Sequence, residues 1–265
     1  MSDRFSLEDR VVVVTGGLGQ LGSQYTSALL EAGAKVAVLD LRVPETLDDR
    51  GGRVCHLACD ITDRGALEAA LVRIHRELGP PTGLVNNAAI DVPPGAPASE
   101  TGPFEQYPLK RWEAVLAVNV TGTLAACQVF GGDMAEDGRG GAIVNVSSTY
   151  GLVSPDQRIY EYRAERGDPF VKPISYAVSK GAIPNLSRYL ATYWASRGVR
   201  VNTLTPGGVL RDQDERFLEG YCARVPLGRM AREDEYNGAV IFLLSDASSY
   251  MTGSNLVIDG GWTAW

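Results

Sequence analysis

Val11-Val-Val-Val-Thr-Gly-Gly-Leu-Gly-Gln-Leu-Gly22 reads as a strand that runs through a glycine-rich turn straight into a helix. Four consecutive valines favour the extended, buried state. Gly16, Gly19 and Gly22 then recur every third residue. In a strand-to-helix setting such glycines permit a tight turn and let the backbone approach a pyrophosphate. They also leave the helix N-terminal N–H groups free to bind it. With strand, turn and helix in register, Gly16, Leu18, Gly19, Gln20, Leu21 and Gly22 are candidate cofactor-binding residues.

Outward from this turn, short Val/Ile-rich runs alternate with longer helical patterns. Lys35 to Leu39, Arg53 to Asp60, Gly83 to Asn86, Ala142 to Val146, Val199 to Thr203 and Leu256 to Ile258 read as further strands. Helical patterns cover Leu21 to Ala32, Arg64 to Leu78, Leu109 to Glu136, Ser175 to Ser196 and Glu233 to Leu244. The alternation predicts an α/β fold: a parallel sheet, doubly wound in the Rossmann manner, with helices on both faces. No internal repeat or low-complexity linker interrupts it, so one domain is expected over residues 1–265.

The chain has 265 residues, 45% of them hydrophobic, with a net charge of -7 and a pI near 5.0. Neither the charge nor any Lys/Arg-rich run suits nucleic acid. The charged start, Met1-Ser-Asp-Arg-Phe-Ser-Leu-Glu-Asp9, has no apolar leader, and no apolar run reads as long enough for a bilayer. A soluble, cytoplasmic protein is expected. Cys55 and Cys59 flank His56, but no second Cys/His cluster follows at metal-site spacing. Strand alternation puts both thiols on one face, as buried reduced cysteines. No metal site is expected.

Asp40 closes the second strand, 24 residues after Gly16 (40 − 16 = 24). A carboxylate there can accept hydrogen bonds from the adenosine ribose hydroxyls and would repel a 2′-phosphate. This favours NAD, with NADP as the alternative because Arg42 could pair with that phosphate. Further along, Tyr176 and Lys180 stand four apart, which on a helix places them on one face. A positive charge about 4 Å from the phenol at an effective dielectric of about 20 is worth roughly 4 kcal/mol, or about three pKa units. Lys180 is thus expected to lower the Tyr176 pKa far enough for proton exchange near neutrality.

With these motifs the chain resembles the short-chain dehydrogenase/reductase family over almost its whole length, in the single-domain branch of about 250 residues. Asp60-Ile61 looks like the family's adenine-side acidic site, and Asn86-Asn87-Ala88-Ala89 resembles its Asn-Asn-Ala-Gly element. Asn119 matches the helix Asn that holds a water against the lysine. Ser148, in Asn145-Val-Ser-Ser-Thr-Tyr-Gly151, matches the catalytic serine. Pro206-Gly207 resembles the turn beside the nicotinamide, and Tyr250 to Gly253 with Asp259-Gly-Gly261 resembles the C-terminal strand region. The resemblance implies hydride transfer between nicotinamide C4 and a carbinol or carbonyl carbon. Ser148 would hold the substrate oxygen, Tyr176 would exchange its proton, and Lys180 would bind the nicotinamide ribose. A homotetramer or homodimer is implied too, and Trp262 and Trp265 at the chain end are expected at its interface.

The departures matter as well. The glycine spacing is that of the family's extended branch, which leaves a sugar-nucleotide epimerase or dehydratase with recycled NAD as one alternative. A non-catalytic NAD(P)-binding regulator is another. The family's Thr after Pro-Gly is missing, and the Val209 backbone is expected to take over its contact with the carboxamide. Pro184, four residues after Lys180, should free the Lys180 carbonyl and produce a harmless kink. Ser148 and Tyr176 are 176 − 148 = 28 positions apart, roughly twice the usual separation, so residues 154–173 form an insertion at the substrate mouth. Its Arg, Glu, Asp and Tyr side chains suit a small polar substrate such as a sugar, polyol or sugar derivative, with Arg able to clasp an anion; the alternative is that these charges simply solvate a surface loop. The proline-rich stretch Asp91 to Pro108 is a second candidate for the rim.

Overall fold

The computed structural model describes residues 4–44, 50–92 and 96–265. Pro93 and Pro94 of the proline-rich stretch lie outside the described residues. In chain order the main elements are β1 (Val11–Thr15), α1 (Gln20–Glu31), β2 (Lys35–Asp40), β3 (Val54–Ala58), α2 (Arg64–Glu77), β4 (Gly83–Asn86), α3 (Leu109–Asp137), β5 (Gly141–Val146), α4 (Ile174–Trp194), β6 (Val199–Pro206), α5 (Glu215–Cys222), α6 (Asn237–Leu244) and β7 (Asn255–Ile258). All seven strands pair in parallel in the order β3-β2-β1-β4-β5-β6-β7. The fold is the doubly wound parallel sheet expected from the alternation. The strand order reverses between β1 and β4, where Thr15 pairs with Asn86. Chains leaving the two strands there diverge and open a crevice.

Strand alternation divides the core. Val11 and Val13 join Leu67, Ile74, Phe130 and Trp194 on one face, while Val12 and Val14 join Tyr25, Leu29, Tyr236 and Val240 on the other. Each such aliphatic side chain contributes about 1.5–3 kcal/mol on burial. Among the described residues α3 is long and apolar enough to cross a bilayer, a property the sequence reading missed. Its face instead packs on the sheet through Ala126, Cys127, Phe130 and Met134. It also carries two π-turns, Ala117–Gly122 and Cys127–Gly131, and the first holds Asn119.

The insertion is more than a loop. It contains a 3₁₀ turn, Gln157–Tyr160, and a short helix, Glu161–Glu165. Ile159 and Tyr160 join Tyr221, Val225, Met230 and Trp262 in a third core. The sequence reading overlooked α5, whose Phe217, Leu218 and Tyr221 pack on this core. Trp262 stacks on Tyr221 with ring centroids 4.4 Å apart, so it is internal, contrary to the interface position expected of it. Its packing against Tyr221 and Tyr150 within the subunit explains the difference. Trp265 is 82% exposed.

Candidate active site

Gly16 needs its glycine: its φ is +61°, and a Cβ would lie 2.8 Å from Ala88 Cα. At Gly22 a Cβ would fall 2.1 Å from the Gly16 carbonyl oxygen, which lets α1 begin against the turn. Gly19 caps α1 with no side-chain hydrogen bond, and the first turn holds no acid. Its uncapped N–H groups form a donor set for an anion. A cavity of about 460 Å³ opens there, bounded by Gly16, Gly19, Gln20, Leu21, Asp40, Asp60, Ile61, Asn87 and Ala88 among others.

Asp40 fastens the loop, its carboxylate accepting from Leu18 N at 3.0 Å and Leu41 N at 2.8 Å. Each oxygen retains a lone pair for a ribose hydroxyl. Asp60 accepts from Thr62 N–H at 2.9 Å in a tight turn, and Ile61 packs where any side chain at Gly122 would collide. Asn87 Nδ2 donates to the Gly16 carbonyl at 3.0 Å. These residues fit a dinucleotide, with helix N–H groups for its phosphates and Asp40 for its ribose.

Pro206 ends β6, and Gly207 N–H donates to Ile258 O at 2.8 Å. Val209 forms a parallel bridge with Ala231 that uses the flanking residues' groups, and its carbonyl accepts from Gln213 Nε2 at 2.8 Å. No hydrogen bond occupies its N–H among the described residues. That leaves a donor where the resemblance places the carboxamide. Gln20, which departs from the family's glycine pattern, donates to the Leu210 carbonyl at 3.2 Å and ties the phosphate turn to this segment. Neither Pro206 nor Val209 borders the 460 Å³ cavity, and Gly207 borders a smaller one of about 140 Å³.

Ser148 sits just beyond β5, its Oγ accepting from Tyr150 N at 3.2 Å. The Ser148 hydroxyl also faces the Tyr176 phenol and pulls the phenol's pKa downward. Burial outweighs that effect, and with the Asp91 carboxylate it raises the Tyr176 pKa above its ordinary value. The net shift in this state is therefore upward, whereas the four-residue spacing to Lys180 led to the expectation of a lowered value. Lys180 Nζ lies 6.0 Å from the Tyr176 ring centroid and donates to Val146 O at 2.8 Å. Its own burial pushes its pKa down to about 8, which still leaves it mostly protonated near neutral pH.

Asn119 is tied to the Ile90 backbone and to the Ser179 side chain. Its Nδ2 donates to Ile90 O at 2.9 Å and Ser179 Oγ at 3.0 Å, while its Oδ1 accepts from Ile90 N at 2.8 Å. Both amide hydrogens are engaged, so the side chain fastens β4's exit to α4 and has no donor left for a water. Pro184 lies inside α4, and the carbonyl it leaves free is used: the Lys180 carbonyl, which Pro184 cannot reach with an N–H, accepts from Ser147 Oγ at 2.8 Å.

Two residues escaped the sequence reading. Lys172, at the end of the insertion, forms an ion pair with Asp91 at the exit of β4. Its Nζ stands 5.2 Å from the Tyr176 ring centroid. Only the spacing of the insertion hinted at them. The insertion's arginines, by contrast, are already paired: Arg158 with Asp156, Arg163 with Asp168 and Arg166 with Asp214. A cavity of about 440 Å³ borders Tyr150 and Lys172 but neither Ser148 nor Tyr176, so it lies beside the reactive groups. The buried thiols of Cys55 and Cys59 are pushed up to about 12 and about 11, chiefly by desolvation, as inert core cysteines.

The fold and the phosphate turn define a dinucleotide-binding protein, and comparison with known proteins sharpens this. A family model described as Enoyl-(Acyl carrier protein) reductase matches residues 19–263. The D-threitol dehydrogenase of Mycolicibacterium smegmatis is 35% identical, over 98% of this chain and 95% of its own. A short-chain dehydrogenase of Leptospira borgpetersenii, solved with NAD+, superposes with a TM-score of 0.87 at 34% identity, over 99% and 96% of the two chains. A gluconate 5-dehydrogenase of Burkholderia cenocepacia, solved with NADP and tartrate, gives 0.85 at 28%, over 99% and 98%. The chain belongs to the short-chain dehydrogenase/reductase family. It is an NAD(P)-dependent oxidoreductase acting on CH–OH donors.

Proposed function

We propose that the protein interconverts a secondary alcohol and a ketone on a small polyhydroxylated compound, a polyol, sugar or sugar derivative, with NAD preferred over NADP. The observation that carries the reaction is that Tyr176 and Lys180 lie one turn apart on α4, Lys180 Nζ 6.0 Å from the Tyr176 ring, with the Ser148 hydroxyl near enough to favour the ionised phenol. Bound NAD(P) supplies the hydride acceptor or donor. Ser148 holds the substrate oxygen, Tyr176 takes its proton in oxidation or returns it in reduction, and Lys180 binds the nicotinamide ribose. Asn119 acts by positioning, since its side chain locks Ile90 to Ser179.

The substrate class rests on the threitol and gluconate dehydrogenases among the relatives and on the polar groups around Tyr176. NAD preference rests on Asp40 at the end of β2. Soluble, cytoplasmic residence and a single domain over 1–265 accord with the composition and the continuous sheet. A homotetramer or homodimer fits the apolar stripe Ile174, Val178, Tyr189 and Tyr193 exposed along α4.

A screen following NADH absorbance across polyols, sugars, aldonic acids, hydroxysteroids and simple secondary alcohols tests the reading. The expected result is stoichiometric NADH formation with a polyhydroxylated compound, which also separates a dehydrogenase from an epimerase that recycles NAD. A hydrophobic alcohol or steroid that beats every polyhydroxylated compound by a hundredfold in kcat/KM overturns it.

A further inference from the structure

We infer that Asp91 and Lys172 form a substrate subsite that reads an uncharged hydroxyl next to the reacting carbinol, selecting neutral vicinal diols over sugar acids. The inference rests on the polyhydroxylated-substrate reading above and narrows it.

Both residues are held in place by contacts of their own. Asp91 follows Ile90, whose N–H and carbonyl are both bound by the Asn119 amide, and Arg111 Nη2 donates to the Asp91 carbonyl at 2.8 Å. Lys172 is clamped by Gln157, which accepts from its N–H at 2.8 Å and donates to its carbonyl at 3.1 Å. The ammonium lies 5.2 Å from the Tyr176 ring centroid and 6.0 Å from that of Tyr150. The pair therefore stands beside the proton-exchanging phenol.

Its hydrogen-bonding capacity is only partly used. Asp91 Oδ2 meets Lys172, whereas Oδ1 is buried with no partner. The Asp91 side chain is 36% exposed, and rotation about a carboxylate's terminal torsion is soft. A carboxylate offers about four acceptor positions and an ammonium three donors, so each keeps capacity beyond the bond they share. A hydroxyl both donates and accepts, and this contact pair supplies an acceptor and a donor side by side. A ligand carboxylate would be drawn to Lys172 but would meet the Asp91 charge in the same place. The arginines that could clasp an anion in the insertion already bind this chain's own carboxylates.

The test compares kcat/KM for 2,3-butanediol, 2-butanol and lactate, whose carboxylate adjoins its carbinol, in the wild type, Asp91→Asn and Lys172→Gln, with NADH binding followed by fluorescence as a check on folding. The wild type should favour the diol over the monoalcohol by roughly tenfold or more, since a site built to bond a hydroxyl rejects an analogue lacking it. Each variant should lose that preference through a higher KM for the diol, the diol-to-monoalcohol ratio of kcat/KM falling roughly tenfold when each enzyme is measured on its own pH plateau, so that any shift in the Tyr176 pKa affects both alcohols alike and cancels. Asp91→Asn should also raise the lactate-to-diol ratio at least about tenfold, a gain that misfolding cannot produce. Equal losses on both alcohols, or an unchanged diol preference, overturn the subsite while leaving the substrate class standing. A wild type that prefers 2-butanol overturns the substrate class and the subsite together.

Discussion

The two sides of the active site are specified in different ways. The cofactor side is made of residues that sit at the ends of their own strands: Gly16 to Gly22 after β1, Asp40 at the end of β2, Asp60 and Ile61 after β3, and Asn87 and Ala88 after β4. Each is placed by the carboxyl end of its own strand. The substrate side proposed above draws on Asp91, Ser148, Tyr150, Lys172, Tyr221 and Trp262, which come together through tertiary packing. A ligand bound by backbone N–H groups and one acid can be encoded in a short motif. A substrate recognised by side chains must be encoded in segments far apart, so it can change while the cofactor side stays constant.

Replacing Tyr176 with Phe should have the largest effect, because it deletes only the titrating hydroxyl where the two sides join. The expected loss in kcat is about 10²- to 10⁴-fold with NADH binding nearly unchanged. A variant retaining more than about a tenth of kcat would remove Tyr176 as the acid/base. Trp262→Ala should then separate the two sides. Trp262 stacks on Tyr221 and meets Tyr150 edge-on at 6.4 Å, and emptying such a site typically costs about 3–5 kcal/mol. Substrate KM should rise about tenfold or more, with NADH affinity within about threefold. If cofactor affinity falls in step, the third core supports both sides and the comparison fails.

On the cofactor side, Asp40→Asn should lower the NAD-to-NADP preference by roughly tenfold, since it removes the charge opposing a 2′-phosphate while keeping an acceptor for Leu18 N. The ratio of kcat/KM for the two cofactors measures it, and an unchanged ratio would assign the preference elsewhere. A pH profile probes the substrate side. Tyr176 must ionise to accept a proton, and its pKa is raised first by burial and then by Asp91, with Tyr150 adding to the rise, Ser148 opposing it, and Lys172 and Lys180 close by. Oxidation should therefore accelerate as pH rises. Asp91→Asn removes a raising charge, so the acidic limb should move to lower pH by up to about one unit. A shift to higher pH would show that losing Lys172's partner matters more.

The sheet, its parallel order and the phosphate turn were legible because β-branched runs and glycine spacing are local signals. Ser148, Tyr176 and Lys180 were legible through motif order. What escaped were effects of three-dimensional company. Asp91 and Lys172 are 81 residues apart and reveal themselves only as an ion pair. The Tyr176 pKa depends on burial, which four-residue spacing cannot report. Trp262 looked like a surface aromatic because its covering partners, Tyr221 and Tyr150, come from other segments.

Ser147 offers the finest probe of how the catalytic strand and helix are joined. Pro184 has no N–H, so the buried Lys180 carbonyl depends on Ser147 Oγ, one residue before Ser148. Any side chain at Gly151 would lie 2.6 Å from that carbonyl oxygen, so the turn and α4 are in close contact here. Ser147→Ala leaves a buried acceptor unsatisfied, at a cost of about 1–3 kcal/mol in stability, and should lower kcat only a few-fold with KM nearly unchanged. Pro184→Ala restores a backbone donor to the same carbonyl. The Ser147→Ala change should therefore be milder in the Pro184→Ala background, with a coupling of at least about 0.5 kcal/mol in a thermal or urea unfolding cycle. Additive losses would mean that the two residues act separately and that the proline is only a kink.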